Sequence, residues 1–436
     1  MAVLNETHDP NLRSWLAAAA GSDFPIQNLP YGSFRRRGGS EAFRIGVAIG
    51  DQVLDVPALL AAGALDGDAA AAARLCGSPT LNALMAAGPA RQSALRLALS
   101  RGLREGSAQQ PRFSACLIPQ SQIELALPAQ IGDFTDFYAS IHHATRVGRL
   151  FRPDNPLMPN YQWLPVAYHG RSSSIRVSGG SAQRPRGQLK GPGDAAPHFA
   201  PSERIDYELE LGFHVGVPTQ LGETVPLAEA EGHLFGVSLL NDWSARDIQA
   251  WEYQPLGPFL AKNFATHVSP WVITMEALEP YRTTWDRPAD HPAPLAHLES
   301  EANRRRGAID ITIEAWIQTA RMQAEGLPAE RLSRSSFAHS YWTIAQMLTH
   351  HASNGCNLVA GDLIGTGTQS GPRHDEAGCL LELTEGGRTP IVLSDGESRR
   401  FVADGDTIIF RGYCEREGFA RISLGECAAT IVAAAE

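Results

Sequence analysis

Residues 206–215 read Asp-Tyr-Glu-Leu-Glu-Leu-Gly-Phe-His-Val, with acidic and apolar residues alternating at the start. A strand projects successive side chains to opposite faces, so Glu208 and Glu210, together with Asp206, are expected to share one face. The exposed polar face of an edge strand is the alternative interpretation. Carboxylates side by side repel each other unless a cation lies between them. The stretch therefore favours a strand that carries a metal-binding face.

A second polar pattern follows further along the chain. Asp242, Arg246, Gln249 and Tyr253 are spaced at i, i+4, i+7 and i+11, which at about 100° per residue is one face of a helix. Amphipathic helices usually carry apolar residues at such positions. A solvated face with charge support between neighbouring turns is the alternative. The spacing predicts one helix from Asp242 to Tyr253.

A third segment, residues 133–145, combines acidic, aromatic and histidine residues. Thr135 or Asp136 is a suitable N-cap, and a helix is predicted from there through His143. Seven residues separate Asp136 from His143, so the two would face the same way. A lone histidine is usually structural, but one beside a carboxylate is a stronger candidate for proton transfer.

The candidate metal ligands are all carboxylates: Asp136, Glu208, Glu210 and Asp242. Sets of hard oxygen ligands select Mg²⁺ or Ca²⁺ over zinc or copper. Four carboxylates leave a bare site strongly negative. Arg246 and Lys262 are near enough in the sequence to offset part of that charge.

Five long segments resemble, in order, the fumarylacetoacetate hydrolase family: residues 131–145, 164–175, 206–211, 241–264 and 365–372. The resemblance covers nearly the whole chain and includes residues 356–367 and 404–414. Wider relatives that decarboxylate, hydrate or hydrolyse acylpyruvates share the shorter metal-binding pattern. Residues 251–262 and the long N-terminal part are similar to the branch that cleaves fumarylacetoacetate.

The resemblance implies a role for individual residues. Metal-binding carboxylates of the family match Asp136, Glu208, Glu210 and Asp242, and positions near a second cation or the outer sphere of the metal match Lys262 and Thr266. His143 matches the general base, and Glu382 matches the carboxylate that orients it. Oxyanion-stabilising positions match Arg246, Gln249 and Lys262. Substrate-contacting positions match Tyr138, Arg152, Tyr168, Gln249, Tyr253 and Thr368.

The implied activity is metal-dependent hydrolysis of the carbon–carbon bond of 4-fumarylacetoacetate to fumarate and acetoacetate, the last step of tyrosine and phenylalanine catabolism. His143 would activate water, and the metal would stabilise the enolate leaving group. A related acylpyruvate hydrolase, or an oxo-acid decarboxylase or hydratase, is the main alternative, and decarboxylation or hydration would not require the His–Glu pair.

Two further functional classes fit the sequence less well. A non-enzymatic metal-binding protein would leave the polar residues from Asp242 to Tyr253 unexplained. A non-haem iron oxygenase needs two histidines and one carboxylate on one metal, and the neighbours His142 and His143 cannot both reach one metal from a helix.

The chain departs from the family pattern at a few positions. Ile141 and His142 precede the predicted base where an Arg-Gln pair is usual in animal members. Ala261 and Ala265 replace glycines beside Lys262 and Thr266. A methyl group there would shift the backbone if a positive φ were required, so a change in substrate fit or rate is expected rather than a change in reaction class.

Composition limits the possible partners and compartment. A hydrophobic content of 43% with 19% charged residues indicates a globular protein, and the net charge of −10 argues against nucleic acid or an anionic membrane as a partner. A small anionic diketo acid would have to meet local cations, which Arg152, Arg246 and Lys262 supply. Six scattered cysteines without a C-x-x-C pair, and an N-terminus without a signal pattern, predict a cytoplasmic protein with reduced thiols. The family also implies a homodimer.

The predicted fold is mostly β within the α+β class. Residues 1–128 are expected to form an N-terminal domain with a hairpin over 43–55, short helices over 58–103 and a linker over 107–130. The resemblance implies an SH3-like barrel there. Residues 129–436 are expected to form the catalytic domain, dominated by strands and with one clear helix from about Ser336 to His351. The resemblance implies a mixed β-sheet roll for this domain.

Overall fold

The computed structural model describes residues 3–436 and has a mostly β, mixed α+β architecture, as predicted. A 13-stranded sheet forms its centre. The main path of this sheet runs through Leu117–Pro119, Gln52–Asp55, Arg44–Ile49, Tyr31–Arg36, Trp271–Thr274, Leu234–Asp242, Leu209–Val215, Leu363–Gly365, Phe134–Phe137 and Ala167–Gly170. Three more strands pair beside this path: Ile123–Ala126, Ile175–Val177 and Thr266–Val268.

The predicted N-terminal hairpin is confirmed. Strands Arg44–Ile49 and Gln52–Asp55 pair antiparallel around Gly50, whose φ of 57° suits glycine. Short helices follow, interrupted at glycine and proline as expected: Val56–Ala61, Gly67–Leu75, Asn82–Ala86, Pro89–Leu103 and Gln110–Ser114.

The prediction of a linker over 107–130 is wrong. Strand Leu117–Pro119 pairs with the hairpin, and Ile123–Ala126 pairs with Tyr31–Arg36. Ile118 and Ile123 are buried in a small core with Phe34. Burial of these apolar side chains keeps the segment in the sheet despite its prolines.

A second, five-stranded sheet packs against the central one. Its strands are, in order, Glu330–Ser336, Thr312–Gln318, Thr407–Cys414, Ile422–Val432 and Gly180–Gln183. Strand Thr407–Cys414 buries every second residue, so one face is turned to the core. Leu211 and Leu239 of the central sheet share that core with Ile313 and Phe410. This packing fixes the strands that carry the candidate site.

The remaining elements are short. Two-stranded pairs join Arg186–Leu189 to His198–Pro201, Ile205–Asp206 to Ser244–Ala245, Arg282–Thr283 to Ala308–Ile309, and Ile391–Val392 to Ser398–Arg399. The other helices are Ile141–Phe151, Arg246–Glu252, Glu301–Arg306, Ala320–Glu325, Ile344–Ala352 and Leu380–Leu383. Between residues 3 and 436, no helix has the length and apolar character needed to cross a bilayer.

The helix predicted from Ser336 to His351 begins later than expected. A 3₁₀ turn, Phe337–His339, comes first, and the α-helix spans Ile344–Ala352. Thr343 and Gln346 form a capping box, in which each side chain accepts a hydrogen bond from the other residue's backbone N–H. This reciprocal cap starts the helix at Ile344.

Both helices predicted near the site also need correction. Asp136 belongs to strand Phe134–Phe137, and the helix that carries His143 is Ile141–Phe151, capped by Ser140. Asp242 ends strand Leu234–Asp242, and helix Arg246–Glu252 is shorter than predicted. Sheet pairing explains both, because Asp136 is in register with Gly365 and Tyr168, and Asp242 with Thr266.

The alternating stretch over 206–211 is interrupted rather than continuous. Ile205–Asp206 pairs with Ser244–Ala245, whereas Leu209–Val215 belongs to the central sheet. Glu208 lies between the two strands, and its backbone N–H donates to Oδ1 of Asn241 at 3.2 Å. The carboxylates of this stretch are therefore held by two different sheets.

Candidate active site

Most of the predicted site residues line one cavity of about 380 Å³. Its wall includes Asp136, Tyr138, His143, Arg152, Tyr168, Glu208, Arg246, Gln249, Tyr253, Lys262 and Thr368. The other predicted residues, Glu210, Asp242, Thr266 and Glu382, lie behind this wall and are buried. The tertiary structure thus brings together side chains that are widely separated in the sequence.

A histidine–carboxylate pair forms one side of the cavity. Nδ1 of His143 lies 2.6 Å from Oε2 of Glu382, and Ser370 Oγ donates to the same oxygen at 2.8 Å. Burial opposes ionisation of Glu382, yet the contacts with His143 and Ser370 lower the pKa of its carboxyl to about 2. The carboxylate is therefore ionised at neutral pH. A proton on Nδ1 shared with it leaves Nε2 of His143 free to accept another.

Three carboxylates form a buried cluster on the neighbouring strands. Asp136, Glu208 and Glu210 each offer an oxygen, and these atoms lie within 4.8 Å of one another. The backbone N–H of Gly367 donates to both Asp136 Oδ1 and Glu210 Oε2, at 3.1 Å each. In the part of the chain that the structure describes, the buried Oε1 of Glu210 has no hydrogen-bond partner.

The electrostatics of this cluster suit a divalent cation. Burial, reinforced by Asp242, raises the pKa of Asp136 well above its ordinary value. Burial and the adjacent Asp136 do the same to the pKa of Glu210. Burial also disfavours ionised Glu208, but the Lys262 ammonium and the Arg246 guanidinium hold its pKa below the ordinary value. The buried oxygen of Glu210 and the oxygen-only donor set fit Mg²⁺ or Ca²⁺.

Asp242 stands beside the cluster and is held by three donors. Lys262 Nζ lies 3.0 Å from its Oδ2, Tyr168 Oη donates to Oδ2 at 2.7 Å, and Thr266 Oγ1 donates to Oδ1 at 2.8 Å. Lys262 also forms an ion pair with Glu208. An ammonium has no lone pair to give a metal, so Lys262 cannot be a metal ligand. It lies outside the ligand set and contacts two of the carboxylates.

Arg246 connects the cluster with the histidine–carboxylate pair. Its Nε donates to Asp206 Oδ2 at 2.9 Å, and its Nη1 donates to Glu208 Oε1 at 2.7 Å. Asp206 also accepts the backbone N–H groups of Leu380 and Leu381, at 2.8 and 3.0 Å, in the helix that carries Glu382. Nη2 of Arg246 is buried, with no hydrogen-bond partner in residues 3–436. That donor is available to negative charge in the cavity.

Other unpaired donors face the cavity on the expected substrate side. Nε of Arg152 and Oγ1 of Thr368 are both buried without a partner among the described residues. The ring of Tyr138 meets the imidazole of His143 edge-on, with 5.3 Å between the centroids. Gln249 Oε1 accepts from Arg246 Nη1 at 3.2 Å. The unpaired donors of Arg152 and Thr368 suit an oxygen-rich ligand.

Two residues of this site were not predicted from the sequence. Arg146 Nη1 donates to Glu382 Oε1 at 3.2 Å, and Ser370 makes the contact described above. Asp206 was expected on the metal-binding face with the two glutamates, but it pairs with Arg246 instead. The i+3 spacing of Arg146 from His143 could have indicated it. Ser370 lies in the segment 365–372, but no spacing links it to Glu382.

The alanines that replace expected glycines cause no backbone strain. Ala261 and Ala265 are buried, and positive φ angles outside glycine occur, between residues 3 and 436, at Leu29 and Glu385. Ala261 accepts a backbone hydrogen bond from Ala245 at 2.9 Å. The local loop is therefore compatible with a methyl group at both positions.

An acid–base pair beside a buried oxygen-ligand cluster, on a β-rich scaffold, defines the class as a hydrolytic enzyme with a candidate metal centre. The family comparisons agree. The family model described as fumarylacetoacetate hydrolase C-terminal matches residues 133–432, and that described as fumarylacetoacetase N-terminal matches residues 27–128. The chain belongs to the fumarylacetoacetase family, which is metal-dependent.

Individual relatives show the same relationship at full length. The chain is 46% identical to fumarylacetoacetase of Caenorhabditis elegans, with 97% of this chain and 100% of the relative covered. Identity to the human fumarylacetoacetase is 44%, with coverages of 97% and 99%. Identity to the rice enzyme is 43%, with coverages of 97% and 98%.

A solved structure supports the fold. Fumarylacetoacetate hydrolase from Exiguobacterium antarcticum superposes with a TM-score of 0.51 at 17% identity, covering 93% of this chain and 99% of the other.

Proposed function

We propose that this chain hydrolyses the carbon–carbon bond of 4-fumarylacetoacetate, yielding fumarate and acetoacetate at the end of tyrosine and phenylalanine catabolism. The hydroxyl of water adds to the acyl carbon, and the departing carbon receives a proton. The observation that carries the proposal is the His143–Glu382 pair facing one cavity with the carboxylate cluster. Full-length similarity to relatives named fumarylacetoacetase supports this substrate.

In this reaction His143 is the general base. Its Nε2 takes a proton from water while ionised Glu382, 2.6 Å from Nδ1, stabilises the imidazolium that forms. The protonated ring then holds the proton needed by the departing carbon. General acid–base catalysis of this kind contributes about 10²- to 10⁴-fold to a rate.

Attack of water creates negative charge on the carbonyl oxygen, and three side chains are placed to stabilise it. Arg246 has an unpaired buried Nη2, Lys262 lines the same wall, and Gln249 contacts Arg246. Burial opposes the Lys262 ammonium, but Asp242 and Glu208 raise its pKa, so it remains charged. Removing one such donor typically costs about 10²- to 10³-fold in kcat.

A divalent cation, Mg²⁺ or Ca²⁺, would be held by Asp136, Glu208, Glu210 and Asp242, with Lys262 and Thr266 in the outer shell. When bound, it supplies Lewis acidity for the oxygens of the diketone and its enolate product. The Gly367 N–H donates to both Asp136 and Glu210 and so holds these two carboxylates in position.

The substrate is a dicarboxylate, and the cavity offers it cationic and hydroxyl donors. Arg152 and Thr368 have unpaired polar atoms, and Tyr138, Tyr168 and Tyr253 line the same space. A guanidinium binds a carboxylate more specifically than an ammonium because its donors are planar and paired. We assign Arg152 to a substrate carboxylate.

The organisation of the chain is also part of the proposal. Two domains, residues 1–128 with an SH3-like barrel and residues 129–436 with the catalytic site, agree with the separate matches of the two family models. A homodimer in the cytoplasm agrees with the exposed apolar side chains of Leu256 and Phe259 and with the free cysteines between residues 3 and 436.

The test is an absorbance assay of the conjugated diketone with purified protein, with and without a chelator. Fumarylacetoacetate should be consumed rapidly, and both the chelator and His143→Ala should abolish turnover. His142→Ala is the matched control, since the His142 ring meets the His339 ring edge-on and does not line the cavity, so the rate should stay intact. Turnover of acylpyruvates or oxaloacetate with fumarylacetoacetate left unchanged would overturn the substrate assignment.

A further inference from the structure

Arg146 joins the Glu382 carboxylate to a neighbouring turn from outside the cavity. Its Nη1 donates to Glu382 Oε1 at 3.2 Å. Its Nη2 donates to the backbone carbonyls of Gly371, Pro372 and Arg373 at 2.8, 2.8 and 2.7 Å. The side chain does not line the cavity, so any effect on the reaction must pass through Glu382 or the turn.

One helix thus holds both oxygens of one carboxylate. His143 and Arg146 are three residues apart in Ile141–Phe151 and share a face. His143 contacts Oε2 of Glu382 and Arg146 contacts Oε1. This two-point attachment sets the plane of the carboxylate relative to the imidazole.

Arg146 is also the permanent cation beside the His143–Glu382 pair. Glu382 has two further contacts, the Ser370 hydroxyl at 2.8 Å and the Cys379 thiol at 3.3 Å, and both are neutral donors. Across residues 3–436, the ion pairs of Glu382 are with His143 and Arg146 alone. A guanidinium cannot lose its proton in a protein, so it stays charged throughout the reaction.

A buried carboxylate requires a counter-charge. Without Arg146, the Glu382 carboxylate would lose its permanent counter-charge and the contact that holds Oε1. We propose that Arg146 is a positioning residue, which supplies this counter-charge and holds the plane of the Glu382 carboxylate so that Oε2 stays against Nδ1 of His143. The inference rests on the proposed function, because it assigns Arg146 a part in the same histidine–carboxylate pair.

The test compares Arg146→Lys with Arg146→Gln in the full-length enzyme loaded with Mg²⁺, with fumarylacetoacetate as substrate. Gln can donate hydrogen bonds but carries no charge, whereas Lys keeps the charge. We expect Arg146→Gln to lower kcat about 10- to 100-fold with KM changed less than about 3-fold. Arg146→Lys should retain kcat within about 5-fold of the wild-type value. Arg149→Gln, an exposed cation on the same helix, is the matched control and should behave as wild type.

Equal loss in the Lys and Gln variants, or a loss confined to KM, would overturn the inference, because it would indicate a role in shaping the turn. A wild-type kcat in Arg146→Gln would overturn it as well. If the wild-type protein itself does not consume fumarylacetoacetate, the proposed function fails first and the inference fails with it. If Arg146→Gln does not fold, the Lys variant decides, and a kcat lowered about 100-fold there contradicts the inference.

A double-mutant cycle adds a readout that a purely structural role would not reproduce. If Arg146 acts through the histidine–carboxylate pair, Arg146→Gln should have no further effect on kcat in a Glu382→Gln background, in which a reduced turnover can still be measured. A further loss of about 10-fold or more in that background would show action elsewhere and overturn the inference.

Discussion

Nδ1 of His143 lies 2.6 Å from Oε2 of Glu382, although the two residues are 239 positions apart in the chain. Both side chains are buried, and Glu382 stays ionised because its pKa is lowered to about 2. Glu382 is therefore a charged partner for the imidazole at neutral pH.

Replacing Glu382 with Gln keeps the side-chain shape and removes the charge. The amide can no longer stabilise an imidazolium, and it can present an N–H to Nδ1 and impose the wrong tautomer on His143. We expect kcat to fall about 10²- to 10⁴-fold with KM nearly unchanged. Steady-state kinetics measure this, with Glu385→Gln, an exposed neighbour, as the control. A fall of less than about 5-fold would show that Glu382 does not support the base.

The carboxylate cluster predicts the effect of removing a ligand. Asp136→Asn and Glu210→Gln each remove one negative charge from the group that lies within 4.8 Å. Divalent affinity should fall at least about 10-fold, because Mg²⁺ and Ca²⁺ depend on charged oxygen ligands. Isothermal titration with Mg²⁺ measures this affinity, and Asp133→Asn, at the exposed residue just before the strand that carries Asp136, is the control. Unchanged affinity in both ligand variants would exclude this cluster as the metal site.

Arg152 is predicted to act on substrate binding rather than on the chemical step. Its buried Nε has no partner among the residues that the structure describes. Arg152→Gln should raise KM about 10- to 100-fold, because a charge-assisted contact with a carboxylate contributes about 1.5–3 kcal/mol. Steady-state kinetics with fumarylacetoacetate measure this change. A variant with normal KM and reduced kcat would place Arg152 in the reaction itself.

Asp206 is predicted to be structural, in contrast to the neighbouring glutamates. It pairs with Arg246 at 2.9 Å and both side chains are buried, so Asp206→Ala would leave Arg246 without one of its two carboxylates. We expect a loss of about 3–5 kcal/mol in the free energy of unfolding, measured by urea denaturation. Asp247 is a less buried neighbour, so Asp247→Ala should lower the free energy of unfolding by a smaller amount. A near-neutral Asp206→Ala would show that Glu208 alone compensates Arg246.

The buried His214 predicts a dependence of stability on pH. Burial lowers its pKa to about 4, from an ordinary value of 6.5. Because the unfolded chain binds a proton below pH 6.5 that the folded protein rejects, stability is full above that pH and is lost as pH falls towards 4. The loss should approach about 3 kcal/mol.

Urea unfolding at about pH 7 and pH 5 checks this prediction. His214→Gln should show a smaller loss between the two pH values than the wild-type protein. His297→Gln, at an exposed position, is the control and should leave the dependence unchanged. If His214→Gln loses as much free energy of unfolding between the two pH values as the wild-type protein, other groups dominate the destabilisation by acid.

Local patterns in the sequence were sufficient for much of the fold and for the chemical character of the site. Two apolar runs on either side of Gly50 and Asp51 predicted the 43–55 hairpin, and glycines and prolines divided the N-terminal helices as expected. The four candidate carboxylates indicated a site for a hard divalent cation, Mg²⁺ or Ca²⁺. These features depend on backbone geometry within one segment, which neighbouring residues determine.

Only the tertiary structure decided which of these side chains meet. Register in the sheet sets Asp136 opposite Gly365 and Tyr168, and Asp242 opposite Thr266, so neither acid belongs to the helix predicted for it. Pairing of Ile205–Asp206 with Ser244–Ala245 separates Asp206 from the glutamates that alternate with it.

Likewise, nothing in the local pattern linked Arg146 to Glu382, because their contact depends on how a distant short helix docks. The local sequence therefore determined which kinds of side chain are available to the site. Strand register and packing determined their partners, because those are set by the burial of apolar surface across the whole core rather than by any one segment.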